Sequence, residues 1–101
     1  MWEKIEIAKE EIANFYEIPI HKLNKQTPDY TYERAVLASI LLYVWGLSGV
    51  EVMLYLGISR RTLQVYINQI EKIKNNEIRE VTGKIIERTS DKYGKGDSEE
   101  A

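Results

Sequence analysis

The stretch from Ser48 to Ile70, SGVEVMLYLGISRRTLQVYINQI, decides how this chain is to be read. Ser48-Gly49-Val50-Glu51 is a capping box, a serine with a glutamate three residues on, set just before the apolar Val52, Met53 and Leu54. The short helix it opens ends at Gly57, a residue suited to the left-handed conformation. Ser59 caps the next helix, whose apolar face is Leu63, Tyr66, Ile67, Ile70 and Ile73. Two helices joined by Gly57-Ile58-Ser59 have the form of a helix-turn-helix. That form needs apolar residues where the helices touch, and Val52, Leu56, Ile58, Leu63 and Tyr66 fall there. Met53 is a departure, standing where the motif usually carries a small residue.

With that face turned inward, the second helix presents Arg60, Arg61, Gln64, Val65 and Asn68 outward. These are residue types that read a major groove: Arg binds guanine bidentately, Gln or Asn binds adenine, and Val touches a thymine methyl. Ser59, Thr62 and the first amides of the helix suit a phosphate, while Lys72 and Lys74 reach only the backbone. The competing reading is a solvated polar face on a unit that serves protein contacts.

Working outward, Ile5, Ala8, Ile12, Phe15 and Tyr16 recur at helical steps, so residues 2–16 form an amphipathic helix ended by Pro19. The stretch His21 to Asn24 forms one short turn, with Ile20 and Leu23 pointing inward. Thr27-Pro28-Asp29 starts the next helix, with Thr27 as cap and Pro28 in the first helical position. It runs to about Trp45 and stops at Gly46. The charge-free run Ala35 to Val50 is 16 residues long, shorter than the ~20 needed to span a bilayer, so it reads as a buried central helix. Asn75-Asn76 breaks the helix begun at Ser59, and Ile78, Val81, Ile85 and Ile86 mark a final one interrupted only by Gly83. Trp2, Tyr43, Trp45 and Tyr55 read as core or core-edge aromatics.

The chain of 101 residues is long enough for one domain, placed at residues 1–90, with 91–101 as a flexible acidic tail. With no cysteine and a charged start, a cytoplasmic address without secretory signal is expected. The net charge of −2 argues against a nucleic-acid binder, but its distribution permits one. Residues 1–33 hold four Lys/Arg against seven Asp/Glu, residues 34–95 hold ten against six, and residues 96–101 add only Asp97, Glu99 and Glu100. A basic half thus lies between two acidic ends. The lone His21 reads as an exposed polar residue rather than a ligand. Glu10 and Glu11, adjacent on a helix, point in different directions and do not converge on one substrate. No phosphate loop, nucleophile–base pair or metal spacing is present, so no enzyme, cofactor or metal site is expected.

Residues 10–90 resemble the C-terminal DNA-binding domain of the bacterial replication initiator DnaA, and more remotely the Trp repressor. In order along the chain, the resemblance rests on Phe15-Tyr16, Leu23, the loop 24–27, Arg34-Ala35, Leu47-Ser48 with Glu51, and Ile70-Glu71. It implies an all-α fold of about five helices and a stand-alone, sequence-specific binder of double-stranded DNA that regulates transcription or replication. It also implies a backbone role for Lys25 and allows a homodimer. Two departures imply a target other than the initiator's own DNA box. The family's Asp-His-Thr-Thr signature is here Ser59-Arg60-Arg61-Thr62, with the turn one residue shorter, and its basic loop keeps only Lys25. The family's nucleotide-hydrolysing domain is absent from these 101 residues, so origin opening by ATP-driven assembly is not expected. The alternative is a module that keeps the fold but binds a protein through its acidic ends or the helix 76–90.

Overall fold

The computed structural model describes residues 2–24 and 29–89, which form five α-helices and no strand. Helix α1 spans Trp2–Tyr16, α2 Thr31–Ser39, α3 Gly49–Leu56, α4 Arg60–Ile70 and α5 Asn75–Thr89. A single 3₁₀ turn, Ile20–Leu23, lies between α1 and α2, and a π-helical segment, Ile40–Val44, prolongs α2. Helix α4 packs along α2, α5 packs along α1, and α1 joins the two pairs by packing on α2.

The middle of the charge-free run is the hub of the core. Ala35, Val36, Leu37, Ala38, Ile40 and Leu41 are all buried, as a helix apolar on every face requires. The run does not continue as one α-helix to Trp45. Its last turn widens, with the Trp45 amide donating to Ile40 O at 3.0 Å and the Leu47 amide to Leu41 O at 2.9 Å. The extra residue in this turn slips the helical register. Tyr43 is consequently turned out to solvent, 68% exposed, against the expectation of a core aromatic. Trp2, 57% exposed, also stands outside the core, covered on one side by the ring edge of Tyr55 at 4.8 Å. Trp45 and Tyr55 are half-buried at the core edge.

Helix α1 spans residues 2–16 as the sequence reading has it, and three other boundaries differ from that reading. Helix α1 closes at Tyr16, where Glu17 takes a left-handed φ of 56° and the Ile18 amide donates to Ala13 O. That closure packs Ile18 against the core and leaves Ile20 exposed, while Leu23 is buried as expected. Helix α2 begins at Thr31 behind Tyr30, whose φ of 62° makes a turn of Asp29-Tyr30. Thr27, Pro28 and Lys25 lie outside the described residues. Helix α4 ends at Ile70 rather than running to Ile73, because the Lys72 and Ile73 amides tighten onto Gln69 O and Ile70 O. Ile73 is buried in that connection, and Asn75-Asn76 open α5 instead of breaking a helix. Ile86 is half exposed, so α5 turns Val81 and Ile85 inward without it. The segment 91–101 also lies outside the described residues.

Two polar clusters tie α5 to the rest. The Tyr16 and Tyr32 phenols both donate to Glu77 Oε1, at 2.9 and 3.0 Å, and their rings meet edge to face at 5.9 Å. At the other end of α5, the Arg88 guanidinium grips Glu11 at 2.7 Å and Glu10 at 2.9 Å. Both glutamates are thus spent on an arginine of this chain, one on each terminal guanidinium nitrogen. Such a surface cluster contributes up to about 1 kcal/mol.

Burial, and then the bond to the Glu77 carboxylate, push the Tyr16 phenol above its ordinary value of 10.0. The native state thus keeps this proton where the unfolded chain releases it. Its contribution is complete below pH 10 and declines as pH rises further. Urea midpoints are expected to hold up to about pH 10 and to fall as pH rises from there to about 11, and Tyr16→Phe should make that fall shallower. The same variant should lose about 0.5–1.5 kcal/mol at pH 8.

Candidate functional site

The α3–α4 unit is built by three local devices. Ser48 Oγ accepts from the Glu51 amide at 3.1 Å while Glu51 Oε1 accepts from the Ser48 amide at 3.0 Å, closing the capping box. Gly57 ends α3 with φ +64°, its amide and that of Ile58 both reaching Met53 O. Ser59 caps α4, accepting from the Thr62 amide at 3.2 Å. Val52, Ile58, Leu63 and Tyr66 are buried, and Leu56 is half-buried where the helices meet.

Gly57 is the residue on which this turn depends. Nothing lies within 4 Å of a Cβ placed there, so an alanine methyl would cost only the left-handed backbone. Gly57→Ala should lower stability by about 1–2 kcal/mol in urea titration, and Gly57→Asn by less, since Asn enters that conformation more readily. Equal losses would place the cost in packing instead.

The start of α3 lies against α4 at Gly49, where a Cβ would meet Leu63 Cδ2 at 3.4 Å. Met53 packs against the core and lines a groove with Ser48, Gly49, Val50, Arg60, Leu63 and Gln64. This open groove of about 320 Å³ was not visible from spacing. The absence of a side chain at Gly49 was its one signal in the sequence.

All five residues assigned to bases are exposed on one side of α4: Arg60, Arg61, Gln64, Val65 and Asn68. The Gln64 amide Nε2 donates to Asn68 Oδ1 at 3.0 Å. Of the backbone set, Ser59 is exposed and Thr62 half-buried, and Ser59 Oγ donates to Thr62 Oγ1 at 3.1 Å. The Ser59 hydroxyl is therefore committed to its cap. The amides of Arg60 and Arg61 precede the first intrahelical bond, made by Leu63 to Ser59 O, and are the donors in place for an anion. Lys72 and Lys74 are exposed in the α4–α5 connection, where the Lys74 amide donates to the Tyr32 phenol at 3.3 Å.

The charge of this face is cationic. The first turn of α4 carries no acidic residue, and among the described residues neither Arg60 nor Arg61 has an ion-pair partner. Two positive side chains at the positive end of a helix dipole cost about 0.3–1 kcal/mol each. The nearby carboxylate of α3, Glu51, is held by the Ser48 amide. Arg34, by contrast, is buried in the core behind α4, bonded to Asp29 O and to the Tyr66 phenol. With Leu37, Leu56, Ile58 and Tyr66 it lines a cavity of about 10 Å³, room for about one water. Its role is to hold α2 against α4.

Among the described residues no group of three His, Cys, Asp or Glu is placed to hold a metal ion, and no helix is long and apolar enough to cross a membrane. His21 is exposed. No protein-family model, curated protein or solved structure matches the chain.

Proposed function

We propose that this protein is a sequence-specific binder of double-stranded DNA, acting through α3-turn-α4 as a helix-turn-helix, and that it regulates transcription or replication. One observation carries the reading: among the described residues, Arg60 and Arg61 stand without an ion-pair partner at the positive end of α4. A local rule broken without a compensating contact in the fold marks a functional position. A phosphate backbone supplies the missing counter-charge, and the amides of the same turn add donors for it. Behind the arginines come Gln64, Val65 and Asn68, a mixed donor, acceptor and methyl set of the kind that discriminates base edges. The resemblance of residues 10–90 to the initiator's DNA-binding domain points the same way.

The test is selection of the purified protein on random duplex DNA, with a salt titration of the winner. An enriched motif, with log K falling steeply against log salt, is the expected result. No enrichment and no binding at low salt would overturn the reading.

A second reading, a protein-interaction module, is favoured by the outer face of α3. Val50 and Leu54, four residues apart on that face, are 69% and 72% exposed. A contact through such apolar surface would be insensitive to salt, which separates the two readings in the same titration.

A further inference from the structure

Gln64 and Asn68, both on the outer face of α4, are joined to each other by the 3.0 Å bond from Gln64 Nε2 to Asn68 Oδ1. From this we infer that the two side chains read one adenine as a unit, Gln64 making both base contacts and Asn68 positioning it. The inference rests on the reading of α4 as the DNA-facing helix.

The chemistry follows from counting hydrogens and lone pairs. A glutamine amide has two N–H groups, one beside its carbonyl oxygen and one on the far side. With the far hydrogen given to Asn68 Oδ1, the near one and Oε1 remain side by side as a donor and an acceptor. Adenine presents the complement in the major groove, N7 as acceptor and the N6 amino group as donor. Guanine presents two acceptors, N7 and O6, so Oε1 would face O6 with no hydrogen between them. Cytosine offers its amino donor without the neighbouring acceptor. An anchored Gln64 therefore favours adenine. Left free, the same side chain would lose rotamer freedom on binding, which weakens the preference.

The bond has a simpler role to exclude, since amide pairs four residues apart also steady exposed helices. In that case Asn68 contributes nothing to base choice. The two roles separate when affinity is measured, at one salt concentration, for the selected duplex and its three single-base replacements at the adenine position.

Gln64→Ala should erase a preference of about ten- to hundredfold for adenine at one position, leaving the others intact. Asn68→Ala should reduce the preference at that same position by about three- to tenfold. Asn68→Asp, which keeps the accepting oxygen, should restore the preference while lowering affinity for every sequence. Both residues concerned are exposed, and circular dichroism verifies that each of the three variants is folded. A motif that Gln64→Ala leaves unchanged overturns the adenine assignment. Loss of preference at a different position in Asn68→Ala, or no change there, overturns the paired reading. A wild-type protein that enriches no duplex at all overturns the DNA-binding reading beneath it, a result distinct from the other two.

Discussion

Leu37→Ala is expected to destabilise the domain by about 2–5 kcal/mol, a large part of the roughly 5–15 kcal/mol that holds a fold of this size. Leu37 is 1% exposed on α2 and faces the joint where Leu56, Ile58 and Tyr66 bring the turn and α4 onto the central helix. Truncation removes the transfer energy of its side chain and leaves a void. That void would merge with the cavity already present beside Arg34, whose guanidinium is fixed by Asp29 O and Tyr66 and cannot collapse inward. The cost should therefore fall in the upper part of the range. In urea titration the midpoint should drop with an unchanged slope, the sign of altered stability without altered compactness. Val65→Ala is the comparison: on the exposed face it should stay within about 0.5 kcal/mol. A cost below about 1 kcal/mol for Leu37→Ala would contradict its place at the hub.

The parts of this fold that could be read in advance are those governed by short-range chemistry. Ser48 with Glu51, Gly57, and Ser59 each solve a backbone problem within four residues, and all three act as their spacing implies. The outward set on α4 followed from periodicity once Leu63 and Tyr66 were turned inward. Legibility failed where the pattern loses its period or where partners are distant. The run from Ala35 is apolar on every side, so nothing in it marks the widened turn at Ile40–Val44 that expels Tyr43. Ile73 continues the apolar spacing of α4 although the helix has ended, because a buried side chain in a connection obeys the same hydrophobic demand. Tyr16, Tyr32 and Glu77 meet across three helices, and Glu10 and Glu11 meet Arg88 from the far end of the chain. Side chains that reach across tertiary contacts leave no local signature.

Removing both Arg60 and Arg61 is expected to weaken binding to the selected duplex by more than the ~1–3 kcal/mol of a single bidentate base contact. They should not act alike. Successive residues on a helix are about 100° apart, so two neighbouring arginines cannot aim at one base. Arg61 lies opposite the buried Leu63 and Tyr66, on the line that enters a groove first, and Asn68, seven positions on, holds Gln64 toward that line. Arg60 stands to one side, lining the groove with Val50 and Gln64 beside the start of α3. Arg61→Ala should relax preference at one base pair, whereas Arg60→Ala should weaken all sequences evenly and lower the salt slope by about 1. Stability should move the opposite way. Each truncation relieves a positive charge at the positive end of α4, so the variants should be as stable as the parent or more so, by up to about 1 kcal/mol. Affinity lost while stability holds would show that the arginines serve a partner outside the fold. Unchanged affinity in the double variant would remove α4 as the binding face and turn the search to a protein partner on Val50 and Leu54.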